Sequence, residues 1–434
     1  MTGDEALARD SWYAATAPRA APRAGLDGEA GCEVAIVGGG LAGLSAALEL
    51  AQRGLEVRVL EARYVGFGAS GRNGGQAIHG FACDPGVLEA QLGREPARQA
   101  WELSVAALDL LRERIRSHAI DCQWRDGQIS VATTPSKARA LMQWADRIES
   151  TYDYPLARLD AGTVRRWIDS PRFHGGVYDA RSGHLHPLRY TQGLARAAER
   201  AGALIHEDTR VVALRHGAPV ELRTARGTLR ARQVLLAGNV YARGLVPALD
   251  ARIMPVGTYL ACSARLSPAL AASLIPSRAA VCDTDVVLDY FRLTDDDRML
   301  YGGGVSYSTA TPRKLAERLR RRMVRSFPQL SAVPIEHAWG GFVDITMNRA
   351  PDFGRLEPDG AGAANIYYLQ GFSGHGLALT GIAGKLVAEA MSTDASRFDV
   401  FSKLTHRAFP GGRWLRMPAL VLGMAWYRMR DLLG

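Results

Sequence analysis

Gly38-Gly39-Gly40-Leu41-Ala42-Gly43 follows an apolar run, Glu33 to Val37, and opens a helical pattern, Leu41 to Arg53, that Gly54 stops. This is G-x-G-x-x-G in the context that gives the motif meaning, between a buried strand and a helix. Gly38 permits the tight turn, Gly40 lets backbone approach a pyrophosphate, and Gly43 lets the helix lie close to the strand. The helix start then offers free N–H groups and a positive dipole end to the anion. Eighteen residues beyond Gly43, Glu61 ends a second strand, Glu56 to Glu61. A carboxylate there accepts hydrogen bonds from ribose hydroxyls and repels a 2′-phosphate.

That pattern alone does not separate a flavin from a nicotinamide dinucleotide. Two further stretches narrow it. Gly66-Phe67-Gly68-Ala69-Ser70-Gly71-Arg72-Asn73-Gly74-Gly75-Gln76 puts five glycines in ten residues directly after the ribose-binding strand. Such a loop offers backbone donors with little side-chain bulk at its glycines, which suits a ribityl chain and a flat ring. Some 330 residues after the first turn, Gly371-Phe372-Ser373-Gly374-His375-Gly376 again lies between an apolar strand and a helix. Its helix dipole can face the flavin pyrimidine, which gains negative charge on reduction. Together the three stretches point to FAD.

The elements around them must bring these segments together. The opening is a βαβ unit. Helical patterns follow from about Gly86 to Ser117 and from Lys137 to Thr151, flanking a strand at Gln128 to Ala132. Helix Leu188 to Ala201, strand Ala203 to His206 and strands through 209–237 return to the first texture, as do strand Ile366 to Leu369 and helix His375 to Met391. Residues 251–343 read as an antiparallel sheet (Met254 to Ser263, Val286 to Leu293, Arg298 to Tyr301, Glu336 to Val343) interrupted by one basic helix with Leu315, Leu319 and Met323 on its apolar stripe. The expected class is α/β with an α+β two-domain build. An arm (1–30) precedes three segments of a nucleotide unit (31–85, 183–245, 346–412), two segments of a substrate unit (86–182, 246–345) and a tail (413–434). Residues 11–30 read as an extended arm that Trp12 and Tyr13 could pin to the body.

With 434 residues and 47% hydrophobic side chains, the chain is globular and too long for one core. The five cysteines, Cys32, Cys83, Cys122, Cys262 and Cys282, are scattered, without CxxC or zinc spacing, so neither a disulfide framework nor a metal is indicated. The start of the chain lacks a signal-like apolar stretch and reads as cytoplasmic. The net charge of +9 gathers at Arg313 to Arg325, which reads as a solvated helix face; it lacks the interleaved aromatics of a nucleic-acid reader. In the tail, an apolar run from Met417 to Trp426 with flanking arginines is too short to span a bilayer. It reads as a helix docked on the protein or as a basic amphipathic helix in peripheral contact with an anionic membrane.

The combination of GGGLAGLSAALELAQRG, EARYVGFGASGRNGGQ, LHPLRYTQGLARAA, VLLAGNVY, DYFRL and LQGFSGHGLALTGIAGKLVAEAM resembles the D-amino acid oxidase superfamily over nearly the whole chain. Within it the likeness is greatest to the γ-glutamylputrescine oxidoreductase group, which shares an arm like SWYAATAP. The resemblance implies a Rossmann-like, glutathione-reductase-type FAD domain joined to an antiparallel-sheet substrate domain, and oxidation of a C–N bond at the flavin. It implies that Gly38, Gly40, Gly43 and Glu61 hold the ADP half, that Ser70, Arg72, Asn73, Gly74, Gly75 and Gln76 hold the flavin half, and that Val211 contacts adenine. Gly374, His375, Gly376 and Leu377 would face the ring. Leu41, Ala42, Ala62, Arg63, Gly68, Ala69, Ala237, Gly238 and Gly371 complete the expected cofactor contacts. Arg72 stands where some relatives carry a histidine bonded to FAD, so the expected attachment is non-covalent. Asn348 stands where relatives often carry Asp.

For the reaction, Tyr290 and Arg292 in DYFRL share one strand face. Arg292 could clamp a carboxylate, or it could pair with Asp283, Asp285 or Asp289. Tyr290 could cap the pocket. His79 is the third catalytic candidate, with a hydrogen-bonded structural histidine as its other reading, and Cys83 reads as an inert thiol. Tyr259 and Trp339 could wall the pocket or pack the core. The expected activity is hydride transfer from an aliphatic amine to the flavin, then imine hydrolysis, with O2 or a quinone as electron acceptor. Alternatives are an amino acid oxidase needing a carboxylate clamp, and an electron-transfer subunit without turnover.

Overall fold

A computed structural model describes residues 4–306, 311–357 and 364–410. The tail expected at 413–434 lies outside them. Two sheets organise the chain. The first runs, edge to edge, through strands Asp352–Arg355, Ile366–Gln370, Gly227–Leu236, Gly28–Val37, Val57–Leu60 and Leu204–His206. All neighbours are parallel except the outermost pair, Asp352–Arg355 with Ile366–Gln370. Two short strands, Ala213–Arg215 and Val220–Arg223, add an antiparallel flap to Gly227–Leu236.

A parallel sheet must be covered on both faces, and the alternation of its strands shows how. In Gly28–Val37, Val34 and Ile36 enter one core with Leu44, Leu48 and Val59, while Ala35 and Val37 enter another with Leu60, Leu229 and Leu236. Helices Leu41–Gln52, Pro187–Arg200 and Gly376–Ser392 cover the first of these faces.

The second sheet runs through Ile335–Thr346, Ile253–Arg265, Arg298–Ser306, Asp289–Leu293, Ala280–Asp283, Arg125–Val131, Gly176–His184 and Gln76–Ala77. It is antiparallel apart from Ala280–Asp283 with Arg125–Val131. The basic helix forms at Leu315–Ser326 and buries Leu319 and Met323 against it, as its apolar stripe requires.

Three expectations are corrected. The arm is not simply extended: Asp4–Arg9 and Trp12–Thr16 are short helices, the second capped by Ser11 Oγ accepting from the Ala14 N–H. Trp12 and Tyr13 do pin it, packing with Leu188, Leu260 and Trp339. Helix Arg94–Ser117, expected in the substrate unit, instead packs Ala100, Leu103, Ala107 and Leu111 into the core of the first sheet. Conversely Gln76–Ala77, expected in the nucleotide unit, pairs with Gly183 and His184 in the second sheet. Among the described residues no helix is long and apolar enough to cross a membrane.

Helix Gly376–Ser392 lies against Leu41–Gln52 at glycine distance. A Cβ on Gly384 would fall 2.5 Å from Ser45 Cβ and 2.7 Å from the Ala46 nitrogen. The buried Arg114 guanidinium joins this seam to helix Arg94–Ser117, donating to Ser45 Oγ at 2.8 Å and to Glu49 at 2.8 Å. Gly384→Ala should therefore destabilise the fold by about 1–3 kcal/mol through overpacking. On the same helix Gly381 meets only the flexible Arg114 tip at 3.4 Å. Gly381→Ala should change stability by less than about 1 kcal/mol, in the stabilising direction given by helix propensity. Urea unfolding of both variants checks the pair; equal effects would show that the seam does not depend on close backbone approach.

Candidate functional site

The first glycine turn is built by steric necessity. Gly38 has φ +115°, and a Cβ on it would lie 2.7 Å from the Ala237 carbonyl oxygen at the end of the neighbouring strand. A Cβ on Gly43 would lie 2.1 Å from the Gly38 carbonyl. Only glycine lets this helix start so close to two strand ends. Glu61 ties the turn to the next strand, accepting from the Gly39 N–H at 2.7 Å and the Arg63 N–H at 2.9 Å. Burial pushes its carboxyl upward, and these two donors oppose the shift. The Leu41 N–H, first in the helix, donates to Ser70 Oγ at 2.9 Å.

That last bond fastens the second glycine-rich loop over the first turn. Asn73 shapes the loop: its amide donates to the carbonyls of Ala69 at 2.9 Å and Ser70 at 3.2 Å, and its oxygen accepts from the Gly75 N–H at 2.8 Å. Gly74 lies against the Tyr290 ring, where a Cβ would come within 2.6 Å of Cε2. Arg72, expected among the cofactor contacts, turns away. Its guanidinium pairs with Asp4 at 2.7 Å, donates to Tyr241 Oη at 2.7 Å and sits 4.8 Å from the centre of the Phe67 ring. It ties the loop to the arm from behind.

The third stretch leaves strand Ile366–Gln370 through three left-handed residues, Gly371 (φ +77°), Ser373 (φ +52°) and Gly374 (φ +85°). Asp344 organises it. Its side chain accepts from the Gly371 N–H, and its backbone oxygen accepts from the Ser373 N–H at 2.9 Å. Burial raises the Asp344 carboxyl from 3.8 to about 6, against the pull of those donors and of Asn239. Helix Gly376–Ser392 has no side-chain cap, so its first N–H groups are left for the cavity. His375 is neutral, pushed down to about 4 by burial, and its Nε2 donates to the His79 carbonyl at 2.8 Å.

One cavity of about 1260 Å³ runs from Gly38 to Gly376. Both glycine turns and the intervening loop line it, with Glu61, Ala62, Arg63, Val211, Ala237 and Gly238 towards the first turn. The far wall comes from the second sheet by strand parity. Met254, Val256 and Thr258 face inward from one strand and Val343 and Ile345 from its neighbour, with Tyr290 beyond. The site fits FAD: the cradle at Gly38 and Gly43 excludes side chains, two helix starts without a capping side chain of their own face one space, and the acid Glu61 stands beside the first turn.

Of the expected cofactor positions, Gly40, Leu41, Ala42, Gly68, Ala69, Ser70, Asn73, Gly74, Gln76, Gly374, His375, Gly376 and Leu377 also line the cavity. Gly43, Arg72, Gly75 and Gly371 lie behind its wall. Of the three catalytic candidates only Tyr290 reaches it. Arg292, 3% exposed, does share a strand face with Tyr290, but the loop covers it: Nε donates to the Gly74 carbonyl at 2.9 Å and Nη2 to Leu185 at 3.1 Å and Tyr13 Oη at 3.3 Å. It neither faces the cavity nor pairs with the three aspartates, which Arg172 takes instead at 2.6–3.1 Å. His79 is held by Asp179 at 2.7 Å among Trp101 and Tyr154. Tyr259 packs under the basic helix and Trp339 against Tyr13, because both lie on the sheet face opposite the cavity or behind the loop. Burial pushes the Cys83 thiol up to about 12. Sequence reading missed Asp344 and the inward rows at 254–258 and 343–345. Their alternation was visible, but not which parity faced the cofactor.

Residues 33–390 match the family model DAO, described as FAD dependent oxidoreductase. The chain is 42% identical to gamma-glutamylputrescine oxidoreductase of Escherichia coli K12, covering 98% of each chain. It is 37% identical to the probable oxidoreductase OrdL of Haemophilus influenzae, covering 92% of each. Among solved structures, glycine oxidase from Geobacillus kaustophilus superposes with a TM-score of 0.71 at 23% identity, over 87% of this chain and all of that one.

Asp344 generates a test. A carboxyl raised from 3.8 to about 6 by folding contributes stability at low pH that is lost as the pH rises through about 6. In FAD-free protein, the stability advantage of wild type over Asp344→Asn should therefore shrink as pH climbs across that window. A difference in melting temperature that stays constant over it would contradict this electrostatic reading.

Proposed function

The chain belongs to the DAO family of FAD-dependent oxidoreductases, and from that premise we propose that it oxidises a C–N bond of an aliphatic amine of the γ-glutamylputrescine kind. One observation carries the choice of amine over α-amino acid. Among the described residues, the wall that the second sheet turns towards Gly374 holds Met254, Val256, Thr258, Tyr290, Val343 and Ile345 and no cation, while Arg292 is sealed behind Gly74 and Gly75. An α-carboxylate beside the reacting carbon would have no partner on that wall.

The same wall suits the chemistry. An amine gives up hydride from its α-carbon only when its nitrogen is neutral, and apolar surroundings disfavour the ammonium form. Bound FAD supplies the two-electron acceptor. The protein's work is positioning: Gly38, Gly40 and Glu61 would hold one end of the nucleotide, and the Gly74 backbone, backed by Tyr290 and Arg292, fixes the height of the loop. Asp344 aims the turn Gly371–Gly374 and the helix start behind it, so that backbone donors meet developing negative charge. Water then hydrolyses the released imine to an aldehyde and an amine. O2 or a quinone completes the cycle as electron acceptor, the latter giving the basic apolar tail a role at a membrane surface.

Anaerobic mixing of the yellow protein with a panel of amines and amino acids tests this. γ-Glutamylated or other acylated diamines should bleach the long-wavelength flavin band, and glycine, sarcosine and D-amino acids should not. Bleaching by the amino acids alone would overturn the assignment.

A further inference from the structure

We propose that Arg349 sets specificity in this cavity by binding a carboxylate at the far end of the amine substrate, remote from the carbon that is oxidised. The inference rests on the amine-oxidising reading and names the chemistry of the other end of the molecule. Four arginines line the cavity: Arg63, Arg210, Arg243 and Arg349. Arg63 donates its backbone N–H to Glu61, and the charge of Arg210 acts on the same carboxylate, which places both at the ribose end. Arg243 closes the turn that follows strand Gly227–Leu236 of the first sheet.

Arg349 alone extends from the substrate sheet. It follows strand Ile335–Thr346, whose end is stitched to the second glycine turn by Ser373 N–H to the Asp344 carbonyl at 2.9 Å and Thr346 N–H to Ser373 Oγ at 3.3 Å. Its charge reaches His375, where it disfavours the imidazolium. The guanidinium thus lines the substrate side of the cavity, apart from the row Met254, Val256, Thr258, Val343 and Ile345.

Its mounting is rigid and its head is free. Arg349 holds a left-handed backbone, φ +59°, which an arginine rarely adopts. A closed turn keeps it there: Arg349 N–H to the Thr346 carbonyl at 3.2 Å, Thr346 Oγ1 to the Ala350 carbonyl at 2.8 Å, and Ala350 N–H to Asn348 Oδ1 at 3.2 Å. Asn348 in turn donates to the Thr405 carbonyl at 3.2 Å. The side chain is exposed, and among the described residues it has no carboxylate partner. A planar fork of donors held at the mouth of an otherwise apolar pocket matches a carboxylate in two-pronged contact. The substrate is then a linear molecule with an uncharged amine in the apolar part and an anion at the mouth.

N-succinylputrescine and N-butanoylputrescine, equal in acyl length and differing in the terminal carboxylate, provide the test with the FAD-loaded enzyme. Arg349→Asn is the chosen variant because asparagine tolerates the left-handed backbone. For the succinyl compound it should lower kcat/KM roughly 10- to 100-fold through KM, with kcat held within about two-fold. For the butanoyl compound both constants should stay within about two-fold of wild type, and Arg349→Lys should recover part of the loss. Melting temperature and flavin absorbance of the variants verify the fold. Equal effects on the two compounds, or none on either, would overturn the role of Arg349 alone. If wild type oxidises neither compound anaerobically, the amine reading itself falls.

Discussion

Everything in this molecule depends on one strand register. Gly227–Leu236 lies parallel to Gly28–Val37 on one side and to Ile366–Gln370 on the other, so Leu236 stands between Val37 and Tyr368. Three carboxyl ends therefore finish side by side. The chain leaves the two outer strands through glycine turns, and the helices that follow start within reach of one space. Parallel pairing also obliges long crossovers, and this chain uses them to insert the whole second sheet. The substrate wall is thus delivered by the connections that the cofactor sheet needs anyway.

Buried cations then hold the cradle at the right thickness. Arg292 and Arg72 lie behind the same loop and are satisfied differently. Arg72 has a carboxylate partner in Asp4, whereas Arg292 is met by three neutral oxygens. Around Arg292, His184 and His186 are pushed down to about 3 by burial and by its charge, and so remain neutral. A buried guanidinium without a counter-ion is tolerated when oxygens meet its donors and its surroundings polarise towards it. A positive charge so placed, one backbone layer from the cavity at Gly74, adds to the field of the helix start at Gly376.

The cofactor half of the fold was legible because its demands are local. Strand, glycines, helix and acid occur in one run of thirty residues, and each glycine answers a steric contact that the sequence order already implies. The second sheet was legible as strands but not as a wall. Its antiparallel alternation defines two faces without saying which is wet, which is cofactor-facing and which carries the basic helix; hence Tyr259 and Trp339 were candidates for a pocket they do not touch. Arg292 shows the limit most clearly. Residue type and parity put it beside Tyr290 as expected, and only the path of a loop more than two hundred positions earlier decides that the guanidinium is covered. Helix Arg94–Ser117 and strand Gln76–Ala77 exchange units for a similar reason, since amphipathic faces name a partner surface only by its polarity.

The arm adds a consequence for assembly. Tyr13 sits against Trp339 at 5.2 Å between ring centres, and Arg72, bonded to Asp4, also donates to the Gly340 carbonyl at 3.1 Å. This arm thus completes its packing only when a strand some three hundred residues further along the chain is in place. Such long loop closures come late in folding. Trp12 and Tyr13 must wait for that strand, and the loop that Arg72 anchors gains its final support only once it has docked.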